Sequence, residues 1–434
     1  MNRTSPATSV AGRRFGDAPM NSLLRGYLAR AIKQGRLEII DSAGAAHRFG
    51  DGSGTPVRIR FKSAAAERAL LLDPEMKLGE EYMNGGYAIE TGTVLDFVTL
   101  LYRNIGSRGQ AWWMRGASRL RRRLRQLLEN NNSSRARRNV HGHYDLDSRL
   151  YDLVLDEDRQ YSCAYFEEGV TDLDQAQAAK KRHLAAKLDL KPGQRVLDIG
   201  SGWGGLGIYL AENFGVDVTG VTLSDEQFTL SNQRAEQRGL ARRARFLNRD
   251  YRALEGTFDR IVSVGMFEHV GLSHYREFFR HVDRLLEPDG IALIHTIAKR
   301  NDPAPINPWM QRYIFPGAYL PALSELAPRI EQQGFWLTDL EIWRLHYAET
   351  LAAWNRRFQA RRAEAAAIYD ERFCRMWEFY LQVCEFGFRE QGLCVFQFQL
   401  AKNAAAVPLT RDYIYDGTPR ANRHDRPLAV SGRR

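Results

Sequence analysis

Apolar and polar residues alternate with different periods along the chain, and each period predicts a type of secondary structure. Residues 21–33 repeat apolar side chains at helical intervals, whereas residues 36–41 and 47–61 have the alternation of strands around a glycine-rich turn. Helical spacing returns in two stretches between residues 66 and 104. We therefore predict a small α+β domain over residues 20–110.

A different alternation, of short apolar segments with helical ones, begins near residue 140 and is typical of a parallel α/β sheet. After Pro321 we predict helices up to a final strand, CVFQFQLAK. We assign residues 140–405 to an α/β domain with a Rossmann-like sheet and helical insertions. Residues 1–19 and 406–434 lack periodicity and are predicted to be a disordered lead and a loosely ordered tail. The predicted strands of the sheet are QRVLDIG, VDVTGVTL, ARFLNRD, FDRIVSVG and GIALIHTI.

Positive charge is concentrated between the two predicted domains, in residues 111–139. The chain has a net charge of +10, and residues 111–138 alone contain nine arginines and one acid, Glu129. Arginines fill one face of a predicted helix, which can lie in the interface of an anionic membrane or dock on the protein's own core. Nucleic acid is another anionic partner for such a stripe, and a solvated linker is a further interpretation. The apolar face of the helix consists of Trp113, Ala117, Leu120, Leu124 and Leu127.

Composition excludes several classes of protein. Hydrophobic residues make up 44% and charged residues 26% of the chain, which are ordinary globular values. The four cysteines form no CxxC pair, so we predict neither a metal site nor a disulfide framework. No apolar run approaches the roughly 18–20 residues of a membrane span, and the N-terminus has no apolar signal segment, so we expect a cytoplasmic protein.

A glycine-rich turn, GSGWGG at residues 200–205, follows a predicted strand and precedes a helix. Glycine lets the backbone approach a ligand closely, and the helix N-terminus beyond it offers free N–H groups to an anion. Asp198 lies two residues before the first glycine of a GxGxG spacing, which favours a nucleoside-methionine cofactor over NAD. At the end of the next strand, Thr222 stands where most such folds carry an acid, and it either binds the cofactor or caps the following helix.

Seven segments between residues 140 and 400 together resemble the cyclopropane fatty acid synthases and the related mycolic acid cyclopropane synthases. The segments are HYDLDSRLYDLVLDEDRQYSCAYF, VLDIGSGWGG, GVTLSDEQ, DRIVSVGMFEHVG, ALIHTI, PWMQRYIFPG and HYAETLAAW. The resemblance implies an S-adenosylmethionine-dependent methyltransferase that forms a cyclopropane ring on an unsaturated phospholipid acyl chain. It also implies an N-terminal domain for lipid binding or dimerisation. We therefore expect a homodimer, peripheral at the inner membrane surface.

The cofactor contacts of that family carry over to four segments of this sequence. Ser201 replaces the cysteine usual in the family's turn, which is a near-isosteric change on a loop that binds through its backbone. Thr222 is normal for the family. The residues carried over are Tyr161, Ser162, Val196, Leu197, Asp198, Ile199, Gly200, Ser201, Gly202, Trp203, Gly204, Thr222, Leu223, Ser224, Asp225, Glu226, Gln227, Tyr251 and Arg252.

The resemblance also implies a bicarbonate ion as the base that removes a proton from the added methyl group, so that the ring closes. Taken singly, the side chains implied as ligands could have purely structural roles: a buried thiol, a helix-capping acid, a core histidine and a packing aromatic. The implied ligands are Cys163, Glu268, His295, Ile297 through its backbone, and Tyr347. Aromatic candidates to stabilise a carbocation on the acyl chain, or to line its tunnel, are Trp309, Tyr313, Phe315 and Tyr347.

Three competing functions are considered. A lipid C-methyltransferase would end at a methylene, methyl-branched or hydroxylated product, and the presence of Glu268 favours the ring because relatives with hydroxylated products lack that acid. An RNA or small-molecule methyltransferase would use the arginines on phosphate, but no base-stacking aromatics are interleaved with them, so we expect no nucleic acid partner. A non-catalytic lipid-binding module would not need a full set of active-site residues.

Overall fold

The computed structural model describes residues 20–106 and 147–416. The predicted disordered lead and the predicted basic helix and linker of residues 111–139 lie outside the described residues, as does the end of the predicted tail. Within the described residues the chain forms two compact units, and the first unit consists of three separate segments of the chain.

The two units divide the chain differently from the predicted domains. The first unit combines the described part of Met1–Leu127 with Asn307–Ile314 and Arg362–Phe386. The second falls within Leu128–Ile306, Phe315–Arg361 and Gly387–Arg434. Two segments of the predicted 140–405 domain therefore belong to the first unit. Local periodicity cannot reveal this division, because membership of a unit depends on packing between segments that are distant in the chain.

The elements are numbered here in chain order. Those of residues 20–106 are α1 (Ser22–Ala31), β1 (Arg36–Ile40), β2 (Ala46–Phe49), β3 (Pro56–Phe61), α2 (Ala64–Leu72), α3 (Pro74–Met83), β4 (Tyr87–Thr91) and α4 (Val94–Ile105). Next come α5 (Ser148–Val154), α6 (Leu173–Lys187), β5 (Arg195–Ile199), α7 (Gly205–Phe214), β6 (Asp217–Thr222), α8 (Asp225–Gln237), β7 (Ala244–Asn248), β8 (Phe258–Val264), α9 (Tyr275–Leu285) and β9 (Leu286–Lys299). The others are α10 (Pro308–Tyr313), α11 (Leu323–Gln333), β10 (Trp336–Trp343), α12 (His346–Ala360), α13 (Arg362–Ile368), α14 (Glu371–Glu390), β11 (Leu393–Ala401) and α15 (Tyr413–Asp416). Short 3₁₀ helices occupy Tyr251–Ala253, Phe267–His269 and Leu272–His274.

The first unit contains a four-stranded sheet in the order β2-β1-β3-β4, with β1 and β3 parallel and the other pairs antiparallel. Burial alternates along β3, which places Val57, Ile59 and Phe61 on the core face. The helical stretch predicted from residue 66 consists of two helices, because Pro74 begins α3 and cannot continue α2. Strand β4 was not predicted, since it is short and follows directly on a glycine pair.

The second unit contains a seven-stranded sheet in the order β10-β11-β9-β8-β5-β6-β7. Strands β5 to β9 pair in parallel, and β11 runs antiparallel to both β9 and β10. One buried cluster joins the sheet to α9 and α11, and another joins it to α6, α7 and α8. A mostly parallel sheet with helices on both faces is the Rossmann-like α/β architecture, and that prediction is confirmed.

The prediction of helices from Pro321 to the last strand is wrong at β10 (Trp336–Trp343). Exposed and buried residues do not alternate regularly along this edge strand, and its register shifts between Leu337 and Asp339. The strand is held by antiparallel pairing with β11, in which Trp343 lies opposite Val395. Because that pairing joins distant parts of the chain, the local pattern does not reveal it.

Candidate cofactor and active site

The glycine-rich turn joins β5 to α7 at the point where the strand order of the parallel sheet reverses. The N–H groups of Gly200 and Ser201 donate to the Val221 carbonyl at the end of β6, at 2.9 and 3.0 Å. Gly202 has a φ of +54°, and a Cβ there would have no neighbouring atom within 4 Å. The turn therefore leaves open space beside Gly202, at the sheet edge where α/β proteins bind their ligands.

A cavity opens beside this turn, and most of the predicted cofactor residues line it. Its walls come from the turn, from the segment before α6, from the end of β6 and from the 3₁₀ helix after β7. The predicted residues that line the cavity are Tyr161, Ser162, Asp198, Ile199, Gly200, Ser201, Gly202, Trp203, Thr222, Leu223, Gln227, Tyr251 and Arg252. The sequence motifs thus identify one continuous site.

Other predicted cofactor residues lie outside the cavity wall. Val196 and Leu197 are fully buried in the two clusters on opposite faces of β5. Gly204 lies where a Cβ would come within 2.8 Å of atoms of Phe246 and Ser231. Gly204 allows the turn to pack closely against β7 and α8, because a side chain there would collide with Phe246 and Ser231.

Thr222, at the end of β6, is hydrogen-bonded to the start of the next helix and also lines the cavity. The Thr222 hydroxyl donates to Gln227 Oε1 at 2.7 Å and accepts from the Ser224 N–H at 3.2 Å. Ser224 is the N-cap of α8, where Asp225 and Glu226 form the first turn and do not line the cavity. Thr222 and Gln227 line the cavity, so a hydrogen-bonded pair of neutral side chains occupies the place where most such folds have an acid.

The sequence analysis missed part of the cavity wall. Half of the missed residues lie within two positions of a predicted cofactor residue, so those motifs could have been widened by one or two positions. Met266, His269 and His274 differ, because they follow β8 and reach the cavity through the pairing of β8 with β5. The missed residues are Arg159, Gln160, Leu206, Val221, Arg249, Asp250, Val264, Gly265, Met266, His269, Val270 and His274.

Asp198 is a buried acid at the cavity. It is 2% exposed, and its Oδ2 atom has no hydrogen-bond partner among the described residues. Burial raises the pKa of Asp198 to about 7, although the charge of Lys180 acts in the opposite direction. An unpartnered buried carboxylate is costly, so a bound cation or donor would stabilise it. This carboxylate and the space at Gly202 fit a ligand with a positively charged amino group, as S-adenosylmethionine has.

Glu268 and Ile297 form the centre of a second polar site. Glu268 lies in the 3₁₀ helix after β8, and its Oε1 atom accepts a hydrogen bond from the Ile297 N–H on β9 at 2.7 Å. Its Oε2 atom is buried and has no hydrogen-bond partner among the described residues. Burial raises the pKa of Glu268 to about 7 and outweighs the opposite effect of the Ile297 hydrogen bond. The structure therefore brings two of the predicted active-site residues into direct contact.

His295 lies two residues before Ile297 on β9. The side-chain amide nitrogen of Gln397 on β11 donates to His295 Nδ1 at 3.0 Å. The Trp343 ring meets the imidazole edge-on, with 5.2 Å between the ring centroids. Burial lowers the pKa of His295 to about 3, so its imidazole is neutral at physiological pH. A neutral histidine with Nδ1 occupied carries its proton on Nε2.

Cys163 and Tyr347 are placed by α12. The N–H of Ala164, next to Cys163, donates to the Thr350 hydroxyl at 3.0 Å. Tyr347 lies one turn earlier on α12 and packs against Phe388, with 4.8 Å between ring centroids. Burial raises the pKa of the Cys163 thiol well above its usual range. Cys163 is therefore a protonated thiol at physiological pH and not an activated nucleophile.

Two aromatic residues considered for the acyl tunnel have hydrogen-bond partners in the first unit. Trp309 Nε1 donates to Met83 Sδ at 3.2 Å, and the Tyr313 hydroxyl donates to Glu80 Oε1 at 2.7 Å. Both aromatic residues lie on α10, a segment that belongs to that unit. The sequence did not predict these contacts, because Met83 and Glu80 are more than two hundred residues away.

Within residues 20–106 and 147–416, no helix is long and apolar enough to cross a membrane. In the same part of the chain, no group of three or more histidine, cysteine, aspartate or glutamate side chains is arranged to hold a metal ion. The four cysteines are free thiols.

The fold resembles that of solved methyltransferase structures. The crystal structure of mycolic acid cyclopropane synthase CmaA1 complexed with SAH and CTAB aligns with a TM-score of 0.58 and 34% sequence identity. The alignment covers 61% of this chain and 97% of the CmaA1 chain. Together with a Rossmann-like sheet and a cavity at its glycine turn, this likeness defines the class. The protein is an S-adenosylmethionine-dependent methyltransferase.

Comparison of sequences identifies the family. Residues 131–398 match the family described as mycolic acid cyclopropane synthetase. The chain is 38% identical over 362 residues to the cyclopropane-fatty-acyl-phospholipid synthase of Escherichia coli, which covers 83% of this chain and 91% of that relative. It is also 38% identical over 280 residues to the tuberculostearic acid methyltransferase UfaA1 of Mycobacterium tuberculosis, covering 62% of this chain and 65% of UfaA1. The protein belongs to the mycolic acid cyclopropane synthetase family, as its sequence motifs indicate.

Proposed function

We propose that this protein transfers a methylene group from S-adenosylmethionine across the cis double bond of an unsaturated phospholipid acyl chain, forming a cyclopropane fatty acid. The E. coli relative, aligned over 91% of its length, is named for this activity. The observation that carries the proposal is the buried Glu268 carboxyl, which accepts from Ile297 through one oxygen and keeps the other without a partner in the described chain. Such a group can hold a proton acceptor beside the substrate.

The cavity at the glycine turn is the cofactor site in this proposal. The space beside Gly202 takes the methionine part, and Asp198 receives its positively charged amino group. Thr222 and Gln227 offer a hydroxyl and an amide to the ribose. The bound cofactor supplies an electrophilic methyl group on a sulfonium ion. The residues of the chain hold that group in line with the alkene, which removes much of the entropic barrier.

We further propose that Glu268 and Ile297, with Cys163, His295 and Tyr347, hold a bicarbonate ion. Glu268 fits this role, because a carboxyl whose pKa is raised to about 7 can share a proton with an anion instead of repelling it. His295 fits as well, because a neutral imidazole with its proton on Nε2 can donate to an anion without forming an ion pair. Bicarbonate, when bound, supplies the base for the proton that leaves the added methyl group.

Exclusion of water is the second requirement of the proposed reaction. Methyl transfer to an alkene leaves a carbocation, which water would trap as an alcohol. Cys163, Glu268 and His295 are 0%, 5% and 2% exposed, so the proposed site is shielded from bulk solvent. The same burial accounts for the shifted pKa values of all three side chains. A dry, polar pocket of this kind allows the cation to persist until the proton is removed.

A methyl-branched or methylene lipid is the second candidate product. The relative UfaA1 is named a tuberculostearic acid methyltransferase, and its identity to this chain is also 38%. A methyl-branched alkene forms if the carbocation loses a proton from the acyl chain. A methylene group forms if a hydride first shifts along the chain and the added methyl group then loses a proton. We favour the ring because Glu268 is present and is held in place by Ile297.

Substrate chemistry also bears on location. Phospholipid acyl chains lie in membranes, and residues 111–138 carry nine arginines and one acid. We propose that this segment associates with anionic phospholipid, peripherally at the inner surface of the membrane, and that the protein is cytoplasmic. We further propose a homodimer, with residues 20–110 serving lipid binding or dimerisation. Nucleic acid is not a partner in this proposal.

The proposed activity is tested with purified protein, S-adenosylmethionine and vesicles of phospholipids with cis-unsaturated chains. We expect the released fatty acids to gain one CH₂ and to resist mild hydrogenation, which mass spectrometry detects. Vesicles with fully saturated chains are the matched control and should gain nothing. A methyl-branched or methylene product that gains the same CH₂ but keeps a double bond, and therefore takes up hydrogen, would replace the proposal by the second candidate. Methylation of RNA without methylation of lipid would reject both.

A further inference from the structure

Lys180 on α6 is fully buried, and its ammonium group holds one wall of the cofactor cavity. Its Nζ atom donates to Gln160 Oε1 at 2.7 Å and to the Ser162 hydroxyl at 2.8 Å. Gln160 and Ser162 both line the cavity, and Tyr161 between them does as well. Lys180 itself is not part of the cavity lining.

Gln177, one helical turn before Lys180, holds the backbone of the same segment. Its side-chain amide nitrogen donates to the carbonyl oxygens of Gln160 at 3.2 Å and Ser162 at 3.0 Å. One face of α6 therefore fixes both the main chain and the side chains of residues 160–162. Because i and i+3 positions lie on the same helix face, Gln177 and Lys180 act on the segment together.

Gln160 also contacts the glycine turn. A Cβ at Gly205, the first residue of α7, would come within 2.5 Å of Gln160 Nε2. Gln160 thus lies between the Lys180 ammonium and the start of α7. A change at Lys180 would be transmitted to the 160–162 wall and to the turn that the wall faces.

A second buried lysine on α6 provides a contrast. Lys187 is also fully buried, but its Nζ atom forms ion pairs with Asp339 Oδ2 at 3.0 Å and Glu341 Oε2 at 2.5 Å. In the described chain, no carboxylate lies within ion-pair distance of Lys180, whose hydrogen bonds go to a neutral amide and a hydroxyl. A buried cation without an ion pair is expensive for the fold, and burial lowers the pKa of Lys180 to about 7. Ion pairing therefore explains why Lys187 can be buried, but it does not explain the burial of Lys180.

We propose that Lys180 is a positioning residue of the cofactor site, which acts through Gln160 and Ser162 to hold the 160–162 wall against the glycine turn. The inference rests on the proposed cofactor cavity. It assigns a role in binding to a residue that does not line the cavity. The positioning pair consists of Lys180, which holds the side chains, and Gln177, which holds the backbone.

Lys180→Met tests this role, because methionine keeps the volume of the lysine stem but lacks the donor. We expect its dissociation constant for S-adenosylhomocysteine, measured by calorimetry, to rise roughly tenfold to a hundredfold, as two charge-assisted hydrogen bonds are lost. The KM for S-adenosylmethionine should rise in parallel, while kcat at saturation should stay within about threefold. Lys187→Met is the matched control on the same helix. It should lower the midpoint of thermal unfolding and leave the dissociation constant within about twofold.

A double-mutant cycle separates positioning from a general loss of stability. Lys180→Met should add little to the effect of Gln160→Ala combined with Ser162→Ala, because its route to the cavity is then already removed. Ser162→Ala alone keeps the buried charge and should weaken S-adenosylhomocysteine binding even if the methionine variant does not fold. Full additivity, unchanged binding in Ser162→Ala, or an equal loss of affinity in Lys187→Met would each overturn the proposal.

Gly202→Val, measured beside these variants, tests whether the cavity binds the cofactor. Loss of binding in Gly202→Val with unchanged binding in Lys180→Met would reject only the role of Lys180. Unchanged binding in Gly202→Val would reject the proposed cofactor cavity instead. The two failures are thus distinguishable by calorimetry alone.

Discussion

Glu268 Oε1 accepts a hydrogen bond from the Ile297 N–H at 2.7 Å, whereas Glu268 Oε2 has no hydrogen-bond partner in the described chain. A carboxyl that is half satisfied and fully desolvated is poised to take one more ligand. Its raised pKa, about 7, means that the added ligand can either donate or accept a proton near physiological pH. This arrangement is the basis of the first prediction.

Glu268→Gln should preserve the hydrogen bond from Ile297 but remove the titratable oxygen. We expect S-adenosylhomocysteine affinity close to that of the wild type and a turnover lower by about 10²–10⁴-fold, the usual contribution of a well-placed base. Some methyl-branched or hydroxylated lipid should appear, because the base that removes a proton from the added methyl group is no longer held in place. Turnover and product analysis by mass spectrometry check this. A wild-type rate with clean cyclopropane product would remove Glu268 from the mechanism.

Asp198 should make cofactor affinity depend on pH. The pKa of the free carboxyl is raised to about 7, so Asp198 is mainly protonated below pH 7 and ionised above it. A cationic ligand prefers the ionised form, and affinity for S-adenosylmethionine should therefore rise, by roughly tenfold, between pH 6 and pH 8. Calorimetry at several pH values gives the affinity of the wild type and of Asp198→Asn for S-adenosylmethionine. Protonation of the ligand affects both proteins equally, so the difference between their pH profiles reports on Asp198. Parallel pH profiles would contradict the assignment of Asp198.

Gly202→Val should abolish cofactor binding without unfolding the protein. The Cβ position at Gly202 is open, so valine meets no protein atom, but its side chain enters the space proposed for the methionine moiety. The positive φ of this residue adds strain, so the midpoint of thermal unfolding should fall by a few degrees. Calorimetry with S-adenosylhomocysteine and circular dichroism check both expectations. Near wild-type affinity would mean that the turn faces a different ligand.

Reversal of charge in the basic segment should weaken membrane binding and spare the cofactor site. Arg121, Arg122 and Arg125 lie outside the described residues, so this prediction depends on the sequence alone. Each basic residue near an anionic surface contributes about 1 kcal/mol, and we expect replacement of all three by glutamate to lower partitioning to anionic vesicles by at least tenfold. Vesicle co-sedimentation measures this, with zwitterionic vesicles as the control. Unchanged partitioning to anionic vesicles would leave the segment as a linker or a helix docked on the protein.

The sequence alone predicts about half of the residues that line the proposed cofactor cavity, because these residues belong to local features. An apolar strand, a glycine turn and a helix follow one another within residues 195–214, and each depends on neighbouring residues in the chain. Gly200 to Trp203 all line the cavity, and Thr222 lines it while accepting a hydrogen bond from the N–H of Ser224, the N-cap of α8. Parallel strands bring their carboxyl ends to one edge, so the separate motifs converge there.

Only the tertiary structure decided the features that depend on pairing between distant segments. Glu268 and Ile297 are 29 residues apart and meet because β8 pairs with β9 in a register that sets Val264 opposite His295. Lys180 reaches Gln160 and Ser162 from a separate helix, and no motif marked it. The edge strand β10 exists through its pairing with β11, and α10 belongs to the first unit although its sequence lies far from it. Local patterns determine most of the elements, whereas register, burial and the edge strand β10 depend on the packing of the whole chain.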